Sequence, residues 1–286
     1  MGNLRANTPH FRTQTLHMET TDMRTCIMLI AGPFEKDYIE EWVEWHHDIC
    51  GFKEVFVIAN NWDYAPKKDY VKTWRLDGQK MQLDAYNWFA HNHMFDYDWV
   101  MVMDGDEFLY LPDGSTIEDY FKEADERGVP QVSFQWMMFG SGGEGVPTKG
   151  SVVKRFTRAS GVWKMEVKSA LSFAWCRGHH IVPLWLNPHF SCATDGRRLG
   201  WMSSIHYPTK EVMKGPTRKD LEGQPVKNAD PFIAHYFTKT KEEWTERRSL
   251  PRPDNNQLRD PTEFDNEDHN EVECDWLARR LDTYGN

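Results

Sequence analysis

The sequence predicts an α/β fold: a mostly parallel sheet flanked by helices, in one large domain. Three observations predict it. Short, wholly apolar runs end abruptly in polar residues, as strands buried on both faces do. A helical periodicity separates the first two runs within about 35 residues, the spacing of a parallel crossover unit. The 286 residues, 40% of them hydrophobic, suffice for one substantial core.

The elements follow in order. Arg24 to Ala31 (RTCIMLIA), closed by Gly32-Pro33, reads as the first buried strand. Ile39, Trp42, Val43, His46 and Ile49-Cys50 then recur at helical spacing, and Gly51 stops the helix. Glu54 to Ala59 (EVFVIA) is the second strand. Residues 80–95 have helical character, with Met81, Ala85, Trp88 and Phe89 on one side, and Trp99 to Met103 (WVMVM) makes a third strand running straight into Asp104. Ser115 with Glu118 predicts a capping box for a helix ending near Gly128. Gln131 to Trp136 reads as a strand, residues 140–150 as a Gly-rich loop, and 151–175 as β structure broken near Gly161. Thr240 with Glu243 predicts a second capping box, opening a helix over KEEWTERRS. Residues 252–275 are acidic and rich in Pro and Asn, the pattern of a solvated surface segment. The expected organisation is a polar segment at 1–23, the main domain at 24–250 and an acidic C-terminal segment at 251–286, packed on the domain or trailing it.

Composition narrows the function. The formal charge of −10 argues against a general nucleic-acid binder, which needs a basic face. Five cysteines at wide spacings, with no CxxC, argue against a disulfide framework or a cysteine zinc site, so reduced thiols and a cytoplasmic location are expected. No run is long and apolar enough for a membrane span, and the first 25 residues lack the apolar core of a secretory signal. The 13 Trp residues suit a core, and equally the walls of a sugar-binding cleft.

Ligands of open parallel sheets bind beyond the carboxyl ends of the strands. Glu35 lies shortly after the first strand, Asn60 to Asp63 after the second, and Asp104-Gly105-Asp106-Glu107 after the third. Two carboxylates flanking a glycine there can share one hard cation, Mg²⁺ or Mn²⁺, completed by substrate phosphates. Gly105 would allow a diphosphate close approach or an unusual backbone angle. The same triplet is also a common turn. An EF-hand is a poor fit, because its sixth position needs Gly and here is Leu109. His46-His47, His179-His180 and His91-Asn92-His93 have no partner set that would complete a zinc site.

In order, Glu35 with YIEEWVEWHHDICGF, VFVIANN, Gln82 with Ala85-Tyr86-Asn87, VMDGDEFL, WMMFGSGG, VVKRFT, VKSAL and IAHYFTKTKEEW resemble the successive motifs of glycosyltransferase family 92 and its family-2-like relatives of the GT-A fold. The resemblance spans roughly residues 24–250, and the order is more specific than any one piece. Two departures stand out: Ala31-Gly32-Pro33-Phe34 replaces a lysine-asparagine pair, and Glu144 stands where many members have histidine. The resemblance implies a GT-A-like single domain with a C-terminal acceptor-side region. It also implies a UDP-sugar donor (galactose, glucose or xylose), Mn²⁺ or Mg²⁺, and a glycan or glycoconjugate acceptor. It extends to glycan-building members from large DNA viruses, which would place the protein in a host cytoplasm. Carried onto this sequence, Asp104 and Asp106 would hold the metal, and His235 would approach it or the diphosphate. His206, in the similar context SIHYPTK, and His189 are rivals, and a buried core histidine is the alternative for His235.

The chemistry demands further groups. Lys154, Arg155 and Lys168 are candidates to assist the leaving diphosphate, or are ordinary solvated charges. An inverting enzyme needs a base for the acceptor hydroxyl; Glu144 in SGGEG is the first choice and Asp195 the second. Glu35, Asn61 and Asp63 are candidates to read base and ribose, while Gln82 and Asp84 on their helix either join the donor site or face solvent. Two other readings compete: a metal-dependent nucleotidyltransferase or sugar-nucleotide hydrolase, and a Trp-rich carbohydrate-binding module without catalysis.

Overall fold

The computed structural model describes residues 22–194, 199–205, 213, 215–250, 258 and 260–284. The polar segment expected at 1–23 lies almost wholly outside them, as do Asp195 and His206. Among the described residues the strands are, in chain order, β1 Thr25–Ala31, β2 Glu54–Asn60, β3 Val71–Leu76, β4 Trp99–Val102, β5 Glu107–Tyr110, β6 Gln131–Met138, β7 Arg158–Ala159, β8 Val167–Ser172, β9 Pro183–Trp185, β10 Ser191–Ala193, β11 Trp201–Ser203, β12 Phe232–His235 and β13 Val272–Glu273. Nine form one sheet in the order β3-β2-β1-β4-β8-β6-β12-β5, with β11 alongside β6. The predicted crossover is present, β1 pairing parallel with β2 from Cys26↔Glu54 to Ala31↔Ala59. β3 and β4 extend the parallel half, β8 runs antiparallel between β4 and β6, and β12 is parallel to β6 and antiparallel to β5. This mostly parallel sheet flanked by helices is the expected fold class and is compatible with a GT-A-like single domain. No helix among the described residues is long and apolar enough to cross a membrane.

The apolar runs are continuous because both faces of the sheet are covered. Alternate residues of β1 serve different cores: Ile27 and Leu29 join one cluster, Cys26 and Met28 the other. Helix α1, Ile39–Glu44, adds Trp42 and Val43 to the first; α2, Gln82–His93, adds Ala85, Tyr86 and Phe89 to the second. Helix α3, Ile117–Glu126, starts one residue later than expected. Its capping box is Thr116 with Asp119, and Thr116 has the extended backbone of an N-cap. The stretch 151–175 is only partly β: α4, Val152–Arg155, precedes β7, and α5, Phe173–Gly178, follows β8. Helix α6, Lys241–Arg248, opens at Thr240 with Glu243 as expected.

The acidic C-terminal residues are less solvated than their composition predicts. Helices α7, Phe264–Glu267, and α8, Trp276–Tyr284, bury Phe264 and Leu277, and β13 pairs with β7. Asp268 accepts from the Ser141 amide at 2.5 Å and its hydroxyl at 2.8 Å. Gly140 is required here, since a Cβ would stand 2.4 Å from the His269 carbonyl oxygen.

Strand β5 ends the sheet, and side chains replace the missing neighbour on its outer edge. Trp42 Nε1 donates to the Glu107 carbonyl at 2.7 Å, and Trp45 Nε1 to the Leu109 carbonyl at 2.7 Å. The Leu109 amide donates to His46 Nε2 at 3.2 Å. Trp42, Trp45 and His46 share one face because they lie three and four residues apart along α1 and the π-helical turn that continues it, Trp45–Ile49. His46 Nδ1 then donates to the Trp42 carbonyl at 2.8 Å, so both ring nitrogens are used by a neutral ring. Burial, against the Trp42 hydrogen bond, pushes its pKa down to about 3.

The unfolded ring takes its proton near pH 6.5. The stability His46 contributes is therefore whole above about pH 6.5 and is lost as pH falls toward 3, at about 1.4 kcal/mol per pH unit. Urea denaturation from pH 7 to pH 4 is expected to show this slope, reduced by about one proton in His46→Gln. Equal slopes in the two proteins would contradict the assignment.

Candidate functional site

The carboxyl ends of β1, β2 and β4 open into a cleft of about 610 Å³, within the range that takes a nucleotide-sized ligand. Gly32 to Glu35, Asn60, Asn61 and residues 78–80 form one wall; Trp136, Glu166, Pro188 and His189 form the other. Asp104, Gly105 and Asp106 lie in the cleft together with His235, Phe237, Arg247 and Arg248.

The turn between β4 and β5 concentrates charge. Asp104 Oδ1 accepts from Gln82 Nε2 at 2.6 Å, and Oδ2 accepts from Lys168 Nζ at 2.8 Å. Lys168 is fully buried on β8, donates also to the Pro188 carbonyl at 3.1 Å and stands 3.6 Å from Glu107 Oε2. Glu107 is itself buried and closes the turn by accepting from the Asp104 amide at 2.9 Å. Asp106 Oδ2 is paired with the Arg247 guanidinium, and Oδ1 lies 3.7 Å from His235 Nε2. Glu35 is buried beside the turn, accepting from the Gly32 amide at 2.8 Å and from the Tyr38 hydroxyl at 3.5 Å. Behind it, Lys239 Nζ donates to the Tyr38 hydroxyl at 3.1 Å.

Burial and neighbours split the carboxylates into two kinds. Burial works to raise Asp106, but Arg247 and His235 hold it well below the ordinary carboxylate range. Asp104 is likewise lowered, Lys168 outweighing burial. Glu107 and Glu35 go the other way: burial raises both, against Lys168 for Glu107 and Arg247 for Glu35. The turn and its surroundings thus hold two carboxylates lowered by cationic neighbours and two carboxyls raised by burial.

Three buried polar atoms of cleft residues lack a hydrogen-bond partner among the described residues: Asp106 Oδ1, His235 Nδ1 and Trp136 Nε1. The Trp136 ring lies against His235, centroids 4.2 Å apart, and near His189 at 5.5 Å. Buried groups of this kind are normally satisfied, so their gathering in one cleft points to a ligand. An oxygen of Asp106 beside a histidine nitrogen suits a divalent cation. No closed set of three His, Cys, Asp or Glu ligands exists among the described residues, so such a cation would depend on the ligand for the rest of its shell.

The residues singled out by sequence divide clearly. Asp104, Gly105, Asp106, Glu35, Asn61, Gln82, His189 and His235 line the cleft, and Lys168 supports it through Asp104. Gln82 is buried on Asp104, whereas Asp84, two residues on, is exposed. Asn61, at φ +58°, clamps the Gly78 turn through its side chain, receiving from the Gly78 amide at 2.9 Å. Asp63 is not brought to the cleft: it is exposed and pairs with Arg75. Glu144 is not brought there either, because the Gly-rich loop turns toward α4 and α6, where Glu144 pairs with Arg155 at 3.1 Å. Lys154 pairs with Asp282 on α8. Gly105 serves a closer neighbour than a diphosphate: a Cβ there would meet Glu35 Cγ at 2.5 Å, and its φ is not positive. Arg247, Lys239, Trp136 and Glu166 were not anticipated, nor was any separate role for Glu107 within the acidic run. Only an unusually apolar context around Glu107 (GDEFLYL) signals any of them in sequence.

No protein-family model matches the sequence, and no curated protein does. Among solved structures the chain is similar to S. aureus TarS 1–349, at 14% identity over 56% of this chain and 50% of that one, with a TM-score of 0.32. A second S. aureus TarS structure matches at 15% identity over 56% of this chain and 30% of that one, TM-score 0.33. HddC from Yersinia pseudotuberculosis matches at 10% identity over 62% of this chain and 88% of that one, TM-score 0.34. The chain spans about half the length of the first of these.

The Gly105–Glu35 contact is open to a double-mutant cycle. Gly105→Ala is expected to cost about 1–3 kcal/mol, as overpacking does. In a Glu35→Ala background, which removes the opposing Cγ, the same substitution is expected to cost much less. Additive losses in urea denaturation would show that the two residues do not compete for space.

Proposed function

We propose that the chain is a divalent-cation-dependent glycosyltransferase that moves a sugar from a UDP-sugar to a glycan acceptor with inversion. The observation that supports this reading best is the meeting of Asp104, Asp106 and His235 at the carboxyl end of β4, with Asp106 Oδ1 unpartnered and 3.7 Å from His235 Nε2. Mn²⁺ or Mg²⁺ would be held by Asp106, with Asp104 and His235 beside it and the donor's phosphates completing its shell. When bound, the cation supplies positive charge for the leaving diphosphate.

The chain's own residues divide the remaining work. Lys168 and Gln82 fix both oxygens of Asp104, so that carboxylate is oriented before any ligand arrives. Glu35, Asn60 and Asn61 line the wall nearest the parallel strand ends, where the nucleoside would lie. Trp136, with His189 and His235 against it, offers a flat apolar face for a sugar ring.

Inversion needs a base that takes the proton of the acceptor hydroxyl. Glu35, Asp104, Asp106 and Glu166 are the carboxylates lining the cleft, and the first three are buried or held by cations. Glu166 is exposed, and its carboxylate forms no ion pair or hydrogen bond among the described residues. It lies on the Trp136 wall, where its carbonyl accepts from the Trp136 amide at 3.0 Å. Glu166 therefore takes the role expected of Glu144.

With Mn²⁺, a panel of UDP-sugars and glycan acceptors, the protein is expected to release UDP. Glu166→Gln is expected to lower kcat by about 10²–10⁴-fold while leaving UDP affinity within about twofold. No UDP release with any sugar overturns the transferase reading; an unchanged kcat in the variant places the base elsewhere.

A further inference from the structure

Arg247 stands where a metal-dependent site would not be expected to keep a guanidinium. Its side chain is paired with Oδ2 of Asp106, the carboxylate whose other oxygen has no partner. The pair is asymmetric. The Asp106 side chain is 2% exposed and fixed by the turn, whereas that of Arg247 is 26% exposed and faces the cleft. Arg247 can therefore leave without unpacking the core; Asp106 cannot.

Its helix stays put when it does. Arg248, the next residue, stacks its guanidinium on the Trp244 ring at 3.7 Å and on Phe237 at 4.4 Å, which pins the end of α6. A long side chain swinging from a pinned helix end is a small motion, within the reach of rotamer changes.

Charge dictates when the swing occurs. Lys239 is buried close by, its Nζ 4.5 Å from the Tyr38 ring centroid. Asp106 already balances Arg247, so a divalent cation arriving alone adds two positive charges beside a guanidinium at short range. A diphosphate arriving with the cation brings the missing anions. It can accept the Arg247 fork in a bidentate contact while the cation takes over Asp106. Given a nucleotide-sugar donor, we infer that Arg247 exchanges partners: it holds Asp106 in the free protein and the donor's diphosphate in the loaded one, leaving Asp106 to the divalent cation.

The exchange makes cation and diphosphate bind as a coupled pair. Coupling of this kind is reciprocal: UDP tightens Mn²⁺ by the same factor that Mn²⁺ tightens UDP. It also gives Arg247 opposite effects on the two ligands, which a purely structural or purely phosphate-binding residue does not have.

The test measures Mn²⁺ binding by electron paramagnetic resonance, with and without saturating UDP, and UDP binding by calorimetry at saturating Mn²⁺. Wild type is expected to bind Mn²⁺ at least about tenfold more tightly with UDP present. Arg247→Met is expected to bind Mn²⁺ alone about tenfold more tightly than wild type and UDP about tenfold more weakly, so that the coupling largely vanishes. If that variant does not fold, Arg247→Lys, which keeps one charge but loses the fork, is expected to move both affinities in the same directions by less. Mn²⁺ affinity that is unchanged or weakened in the folded variant overturns the exchange. A wild-type protein that binds neither Mn²⁺ nor UDP instead overturns the transferase reading on which the exchange rests.

Discussion

Four carboxylates, Glu35, Asp104, Asp106 and Glu107, are gathered around one turn at the end of β4, and a protein interior does not tolerate that charge unbalanced. The surrounding structure is largely the means of balancing it. Lys168 reaches from β8 to Asp104 and Glu107, Arg247 reaches from α6 to Asp106, and Lys239 stands behind Tyr38. Burial raises the pKa of Glu35 and Glu107, while Lys168 lowers that of Asp104 and Arg247 that of Asp106. A cluster so arranged is a poor device for stability, since a packed apolar core would serve better. It is a good device for receiving a cation and an anion together.

The turn can carry this cluster only because the strand after it is held rigidly. β5 has one strand neighbour, and the other edge is hydrogen-bonded to the indoles of Trp42 and Trp45 and the imidazole of His46. The helix that presents these three on one face thus helps set the position of Glu107, and through the Asp104 amide that of the turn. β12 holds the other edge in the register His235↔Glu107, which is why a histidine from late in the chain arrives beside Asp106.

Much of this was legible in the sequence. The apolar runs of β1, β2 and β4 announce strands covered on both faces, and the acidic triplet follows the third of them directly. Thr240 with Glu243 announces α6 because a capping box is local chemistry. Contacts that join distant segments were not legible. Arg247 lies 141 residues from Asp106, and nothing in KEEWTERRS distinguishes it from the solvated charges around it. Glu144 was the natural choice of base because a Gly-rich loop suggests a site. That loop is instead stitched to the C-terminal residues through Asp268, and Glu166, next to β8, faces the cleft. The N-cap falls on Thr116 beside Ser115, two residues of equal capping chemistry that local sequence alone does not separate.

In the proposed function a cation and a diphosphate together complete the cluster at the end of β4, and crystals grown with Mn²⁺ and UDP test that most directly. The result expected is an anomalous manganese peak between Asp106 and the UDP diphosphate, with Arg247 turned from Asp106 toward a phosphate. Ordered UDP with no manganese at Asp106, or a peak held elsewhere on the chain, contradicts it.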